Sequence, residues 1–270
     1  MKRSLCVLTI AGSDSGAGAG VQADARTIHA LGGYALTAIT AVTAQNTRGV
    51  KAWRAVGRGL LRAQIEAVLG DFPVAAIKTG LLPGAAAVRV VVEMLKDYSG
   101  RRRMPLVIDP VVGSTSGTRF LSVVGLRALK AELLPWATLV TPNWPEAETL
   151  SGLRVRSFED AERAGREILR SGCGAVLVKG GHAPGGRCRD VLVMRDASDD
   201  VVVRWFEGAR VKTWNTHGTG CVLSAAIAVE LAKGRSLTVG IKNARRFLRR
   251  ALENGKETDW GGGAGPAFAG

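Results

Sequence analysis

Leu5-Cys-Val-Leu-Thr-Ile10, then Ala11-Gly-Ser-Asp-Ser-Gly-Ala-Gly-Ala-Gly20, then Gln22 to Leu31 and Tyr34 to Thr43 open the chain in that order. The first is a mostly apolar run of strand length, which predicts a strand buried on both faces. The second is too rich in glycine for regular structure. The third reads as a helix stopped by Gly32-Gly33. The fourth reads as the next strand, and it delivers Ala44-Gln45-Asn46-Thr47 to its C-terminal end. Strand, helix and strand at this spacing form a βαβ unit, which commits the chain to right-handed crossovers and a parallel sheet.

The same rhythm continues. After a short strand near Ala52–Val56, the pattern predicts helices over Leu60–Leu69, Ala85–Leu95, Leu121–Leu134 and Ser157–Arg170, with Ser157 as N-cap. Between them lie strands Val74–Lys78, Pro105–Ile108, Thr138–Val140 and Ala175–Val178, and a helix opening at Thr141-Pro142-Asn143. Asp190–Met194 and Val201–Phe206 break the rhythm and read as a two-stranded antiparallel excursion around the loop Arg195–Asp200. Helices over Gly218–Ala232 and Leu237–Leu252 follow, and a glycine-rich tail, Gly261 to Pro266, is either flexible or folded back. The expected architecture is α/β, one domain over residues 1–270, with a mostly parallel central sheet and helices on both faces.

Composition narrows the classes. With 270 residues and 46% hydrophobic content, the chain can bury a large core. Its apolar runs are broken before the ~18 residues of a membrane span, and the N-terminus lacks the pattern of a signal peptide, so a cytoplasmic protein without a membrane partner is expected. Cys6, Cys173, Cys188 and Cys221 form no C-x-x-C pair, which disfavours a structural zinc site or a disulfide framework. The net charge of +14 invites a nucleic-acid reading. However, the clusters Arg101–Arg103 and Arg245, Arg246, Arg249, Arg250 lack interleaved aromatics, so a solvated basic surface that attracts phosphorylated small molecules is the better reading.

Two glycine-rich segments need separate treatment. Gly18-x-Gly20-x-x-Ala23 fits a dinucleotide fingerprint, but it starts eight residues after Ile10, and the second strand ends at Gln45, not at an acid. There is no Walker-type phosphate loop either. The second segment, Thr213 to Ala226, places Gly218, Thr219, Gly220 and Cys221 before a nearly unbroken apolar helix. A helix start of this kind exposes N–H donors and attracts anions, and its field is expected to lower the pKa of Cys221, making the thiol a usable base or nucleophile.

Gln45, Lys78, Asp109, Asn143 and Lys179 each fall at or just beyond the C-terminal end of a predicted parallel strand, the edge where open α/β sheets bind ligands. Each has a plain structural explanation taken singly: Asn143 can cap a helix, and Asp109 precedes a proline. Together with the anion cap they suggest phosphoryl transfer. Asp109, Asn143 and Glu146 offer oxygens to a magnesium ion, Lys179 offers a cation, and Gly218 to Cys221 offer donors and a base. The residues alone lead to a non-Walker kinase of a small hydroxyl substrate.

The motifs Ala11–Asp24, Ala44-Gln-Asn-Thr-Arg-Gly49, Lys78-Thr-Gly-Leu-Leu82, Asp109-Pro-Val, Ser114-Thr-Ser-Gly117, Thr141-Pro-Asn-x-Pro-Glu-Ala147, Val178-Lys-Gly-Gly-His182 and Asn215-Thr-His-Gly-Thr-Gly-Cys221 closely resemble the hydroxymethylpyrimidine/phosphomethylpyrimidine kinases of thiamine biosynthesis. These belong to the ribokinase-like superfamily. The resemblance runs in order over nearly the whole chain. It implies a three-layer sandwich and a kinase that uses ATP and Mg2+, with a monovalent cation as a further candidate. It implies two phosphorylations, of 4-amino-5-hydroxymethyl-2-methylpyrimidine and then of its monophosphate.

Cys221 falls where most ribokinase relatives carry a catalytic aspartate, with Gly218 and Gly220 of the cap beside it. Gln45 falls on the family's pyrimidine-binding glutamine, with Asp24 and Gly12 assigned to the same pocket. Asn143 and Glu146 match a magnesium-organising Asn-x-x-Glu. Asp109 joins Glu146 as a metal candidate, and Lys179, Thr219 and Asn143 are the nucleotide candidates. The chain departs from the family at Leu81-Leu82, usually Met-Leu, and at Val112-Gly113-Ser114, usually Met-Val-Ala. Some members of this branch are pyridoxine or pyridoxal kinases. Those compared lack the glutamine of Gln45 and the lysine of Lys179, which favours the pyrimidine. A sensor or nucleic-acid binder on a kinase fold would be expected to have lost Cys221, Glu146 or Lys179. A homodimer is implied by the resemblance alone.

Overall fold

The computed structural model describes residues 5–99, 104–113, 117, 120–183 and 185–268. Arg101–Arg103 and Ser114-Thr115-Ser116 lie outside the described residues. Nine strands form one sheet in the order β3-β2-β1-β4-β5-β6-β7-β8-β9. They are β1 Cys6–Ser13, β2 Tyr34–Asn46, β3 Gly49–Ala55, β4 Val74–Thr79, β5 Leu106–Ile108, β6 Leu139–Val140, β7 Ala175–Val178, β8 Arg187–Arg195 and β9 Val201–Ala209. The six from β2 to β7 in this order run parallel, and β3, β8 and β9 pair antiparallel at the two ends.

The unbroken apolar strands have two buried faces because alternate side chains enter different cores. Cys6, Leu8 and Ile10 of β1, Leu106 and Ile108 of β5, and Val176 and Val178 of β7 share one core. Helices α2 (Arg58–Asp71), α3 (Ala85–Ser99), α4 (Val123–Ala128), α5 (Trp144–Ser151) and α6 (Phe158–Leu169) pack into it. Val7, Val107, Ala175 and Leu177 face the other core, with α1 (Gly20–Ala30), α7 (Thr219–Ala232) and α8 (Leu237–Gly255). The result is the expected three-layer, mostly parallel α/β sandwich. Helix α7 is buried from Val222 to Glu230, as an apolar sequence all round requires.

Two expectations change, and of the two alternatives for the tail one is realised. The antiparallel pair is no detached excursion, because β8 pairs with β7 from Ala175↔Met194 to Val178↔Val191 and extends the main sheet. The expected helix Leu121–Leu134 begins later, at Val123, capped by Ser122, and ends in a π turn over Leu129–Leu133 and a 3-10 turn at Leu134–Trp136. Pro135 has no N–H to continue the α ladder. The tail folds back: Gly265 O accepts from His217 N–H at 3.0 Å, and Ala267 N–H donates to His217 O at 3.1 Å. Among the described residues no helix is long and apolar enough to cross a membrane.

Candidate active site

β1 is the point at which the connections turn: β2 lies on one side of it and β4 on the other. Ligands of open α/β sheets collect outside the strand C-termini at such a point. A cavity of about 1010 Å³ lies there, lined at one end by Lys78, Asp109, Asn143, Glu146, Lys179 and Cys221 and at the other by Gly12, Asp14, Gln45, Leu81, Phe120 and His217. Four successive parallel strands deliver Lys78 (β4), Asp109 (after β5), Asn143 (after β6) and Lys179 (after β7).

The anion cap takes shape at the start of α7. Gly218 is its N-cap at φ 74°, and a Cβ there would lie 1.9 Å from Gly18 O, so only glycine fits. Thr219 opens the helix. Among the described residues the Gly220 and Cys221 N–H groups have no protein acceptor, as expected for a first helical turn. A Cβ at Gly220 would sit 3.2 Å from Lys179 Nζ and 3.3 Å from Asp109 Oδ2, so the cap abuts that ion pair directly.

Lys179 Nζ donates to Asp109 Oδ1 at 2.8 Å and lies 3.9 Å from Glu146 Oε2. Burial pushes the Asp109 carboxyl up, but Lys179, then Lys78 and the Thr141 hydroxyl, hold it below its usual range. Burial dominates at Glu146, assisted by the Asp109 charge against the pull of Lys179, and raises it to about 7. Asn143 caps α5 by accepting from Glu146 N–H at 2.9 Å, while Glu146 Oε2 accepts from Asn143 N–H at 2.8 Å. This capping box fixes Glu146 beside Lys179. Asp109 and Glu146 are two carboxylates facing the same space, the kind of oxygen ligands that could hold a divalent ion arriving with nucleotide phosphates. Among the described residues no group of three or more His, Cys, Asp or Glu forms a separate metal cage.

Two expectations fail on burial. Asp24 does not line the cavity: it is fully buried, its carboxylate oxygens 3.0 and 2.8 Å from Lys78 Nζ, with the Thr9 hydroxyl donating at 2.6 Å. It therefore supports Lys78, and Lys78 is the member of the pair that faces the cavity. Cys221 is not an activated low-pKa thiol. Burial, then the Asp24 and Asp109 charges, push it up to about 12, against the Lys78 ammonium and the Gly20 N–H. A helix N-terminus worth about half a charge is outweighed by desolvation at the cavity floor.

The sequence reading assigned no role to Asp14 or His217. Asp14 accepts from Gly16 N–H (2.8 Å) and Ala19 N–H (2.9 Å), so the glycine-rich loop that imitates a dinucleotide fingerprint spends these donors internally. His217 Nε2 is 2.9 Å from Asp14 Oδ2, and Gln45 Nε2 is 3.3 Å from the same oxygen. Both residues lay within quoted motifs, but their meeting across 203 positions left no local signal.

With this geometry in place, the comparisons are decisive. The family model for phosphomethylpyrimidine kinase matches residues 14–267. The chain belongs to the phosphomethylpyrimidine kinase family. It is 42% identical to the hydroxymethylpyrimidine/phosphomethylpyrimidine kinase of Rhizobium meliloti over 96% of this chain and 94% of that protein. The crystal structure of phosphomethylpyrimidine kinase from Clostridium difficile 630 superposes with a TM-score of 0.78 at 38% identity, covering 92% of this chain and 99% of that one. An ADP complex of Bacillus subtilis pyridoxal kinase superposes with a TM-score of 0.87 at 32% identity, over 98% and 97% of the two chains. Other curated relatives are bifunctional thiamine-biosynthesis proteins, of which the chain spans about half the length. As a member of this family the protein is a phosphotransferase on a ribokinase-like fold.

Proposed function

We propose that this chain, as one kinase domain over residues 1–270, uses Mg2+-ATP to phosphorylate 4-amino-5-hydroxymethyl-2-methylpyrimidine and then its monophosphate, for thiamine diphosphate synthesis in the cytoplasm. The observation that carries this reading is one cavity joining a buried Lys–carboxylate cluster and a helix-start anion cap to the Gln45 amide. The pyrimidine lies at the Gln45 end, against Gly12, Leu81 and Phe120, and its hydroxymethyl group points toward Cys221. The N–H groups of Gly218, Gly220 and Cys221 receive the oxygens of the transferred phosphoryl group. Lys179 and Asn143 serve the nucleotide phosphates.

Asp109 and Glu146 would hold the magnesium ion, which when bound offsets charge on the β- and γ-phosphates. Cys221 takes the proton of the attacking hydroxyl, with Lys78 favouring the thiolate that must form to do so. In a loose phosphoryl-transfer transition state the attacking hydroxyl keeps its proton until late in the reaction, so the small fraction present as thiolate, itself a strong base, is the form that takes it up and becomes the thiol. Lys212, Lys242 and Arg246 line the nucleotide side of the cavity and place part of the +14 charge where anionic substrates enter. The family resemblance further supports a homodimer.

Pyridoxal kinases superpose well enough to make vitamin B6 alcohols the competing substrates. The test is ATP-dependent ADP release by the purified chain with the hydroxymethylpyrimidine and with pyridoxine, side by side, with product analysis. A higher kcat/KM for the pyrimidine, with mono- and diphosphate products, is expected. A preference for pyridoxine would overturn the substrate assignment and leave the reaction class intact.

A further inference from the structure

The motif that ends at Cys221 begins at Asn215, a side chain that no step of the proposed chemistry uses. Asn215 is buried and, unlike Thr216 and His217, does not line the cavity. Its amide makes three bonds. Nδ2 donates to Gly255 O at 2.6 Å and to Thr258 O at 2.9 Å, at and just beyond the C-terminal end of α8. Oδ1 accepts from Gly265 N–H at 3.0 Å. The reversed amide would set its oxygen against two carbonyls and its NH2 group against an N–H, so the partners fix its orientation.

Gly265 is held at both ends of its backbone. Its N–H goes to Asn215, and its carbonyl accepts from His217 N–H at 3.0 Å, while Ala267 N–H returns to His217 O at 3.1 Å. A Cβ on Gly265 would lie 2.3 Å from Asn215 Oδ1, so the two residues meet without room for a side chain. Ordering a segment as rich in glycine as Gly261-Gly262-Gly263-Ala264-Gly265 is entropically costly, and the buried Asn215 bonds offset that cost where the tail meets the strap.

The anion cap depends on the same strap. His217 immediately precedes Gly218, whose left-handed backbone packs on Gly18 O and whose carbonyl accepts the first bond of α7, from Val222 N–H at 2.9 Å. The tail through His217, and the glycine-rich loop through Gly218, therefore fix where α7 starts and where its free N–H groups point.

We propose that Asn215 is a positioning residue: by clamping the C-terminal tail onto His217 it holds the start of α7 so that its free N–H groups converge on the transferred phosphoryl group. The tail thereby belongs to the framework of the active site, although no described residue of it lines the cavity. The proposal rests on the reading that this cap receives the phosphoryl group. Donors aimed at the transition state, when misdirected, cost rate more than they cost ATP binding.

The test compares the full chain as wild type, Asn215→Leu, Asn215→Asp and Gly265→Ala, each at a temperature where circular dichroism shows it folded. Leucine keeps the volume without the bonds. Aspartate keeps the acceptor for Gly265 but sets a carboxylate oxygen against two carbonyls. Alanine at 265 strikes the clamp from the tail side with Asn215 intact. Amide exchange followed by NMR reads the position of the cap, and single-turnover assays at saturating ATP and hydroxymethylpyrimidine read the chemistry. All three variants should speed exchange at both His217 N–H and Val222 N–H by about tenfold or more, with the amides of β4 and β5 unchanged. They should lower the single-turnover rate by about tenfold or more, with KM for ATP within about threefold. If Asn215→Leu fails to fold, Asn215→Asp and Gly265→Ala carry the same test. Faster exchange confined to His217 and the tail, with Val222 and the rate at wild-type values, would make Asn215 a structural residue and overturn the proposal. A rise in KM for ATP as large as the loss of rate would overturn it too. If the wild type transfers no phosphoryl group to the ring, the proposed function falls, and exchange at Val222 still decides whether Asn215 holds the start of α7.

Discussion

The two ends of the cavity are built on opposite principles. At the floor, Lys78, Asp24, Asp109 and Glu146 are buried charged groups with Lys179 partly buried beside them, each carried by the sheet, by the turn after a strand or by a helix packed on it. At the ring end, Asp14, Gln45 and His217 come from a glycine-rich loop, the outer part of β2 and the strap before α7, and a folded-back tail holds them. The floor acts through field strength in a low dielectric, where burial moves Cys221 and Glu146 far from their ordinary values. The ring end acts through the direction of a few donors and acceptors. Damage to the floor should therefore appear in the chemical step and in stability, and damage to the ring end in substrate affinity.

The largest effect is expected at Cys221. Cys221→Ala should lower single-turnover phosphoryl transfer by about 10²–10⁴-fold while barely changing ATP binding. Equal losses in both would remove the assignment of the base. The pH profile sharpens the point. Because the thiol is raised to about 12, its thiolate fraction grows about tenfold per pH unit below that value, so the rate should climb steadily with pH above neutrality. A profile already flat at pH 7 would mean the thiol is activated after all. Cys221→Asp should move the rising limb to lower pH, since a carboxylate ionises more readily at the same place.

Next comes the pair beneath the floor. Lys78 and Asp24 are both fully buried. Burial opposes the Lys78 charge, but Asp24, then Cys221 and Asp109, hold its pKa above the ordinary value. Removing one partner strands a charge, so Lys78→Met or Asp24→Asn alone should each cost about 3–5 kcal/mol of stability, read from the urea midpoint. Lys78→Met/Asp24→Leu should recover much of this loss but not the rate, because the field on Cys221 is still missing. If the double variant regained full activity, Lys78 would be a structural residue only.

This contrast also explains how much the sequence revealed. Strand C-termini are legible because the continuous apolar runs Val74–Ile77 and Ala175–Val178 are each followed by a lysine, and topology then brings Lys78, Asp109, Asn143 and Lys179 to one edge. What could not be read was depth. Nothing local distinguishes Asp24 buried under the wall from Asp24 lining it, and a cap motif alone says nothing about desolvation of Cys221. The ring end was legible only at Gln45, because its partners Asp14 and His217 are 31 and 172 residues away, and the strap that clamps His217 looks like a loose glycine-rich tail.

The smallest effect, and the one that most directly separates the two ends, is expected at Gln45. Its amide makes neutral or singly charge-assisted contacts at a half-buried position, so Gln45→Ala removes about 1 kcal/mol of ring binding, roughly a five- to tenfold rise in KM for the pyrimidine. KM for ATP and the single-turnover rate at saturating pyrimidine should stay near wild type, because nothing at the floor loses a partner. A large change in KM for ATP would mean that Gln45 sits in the nucleotide subsite. A large fall in the saturated rate would mean that the two ends share their electrostatics, and the division between field and direction would then fail at the residue best placed to show it.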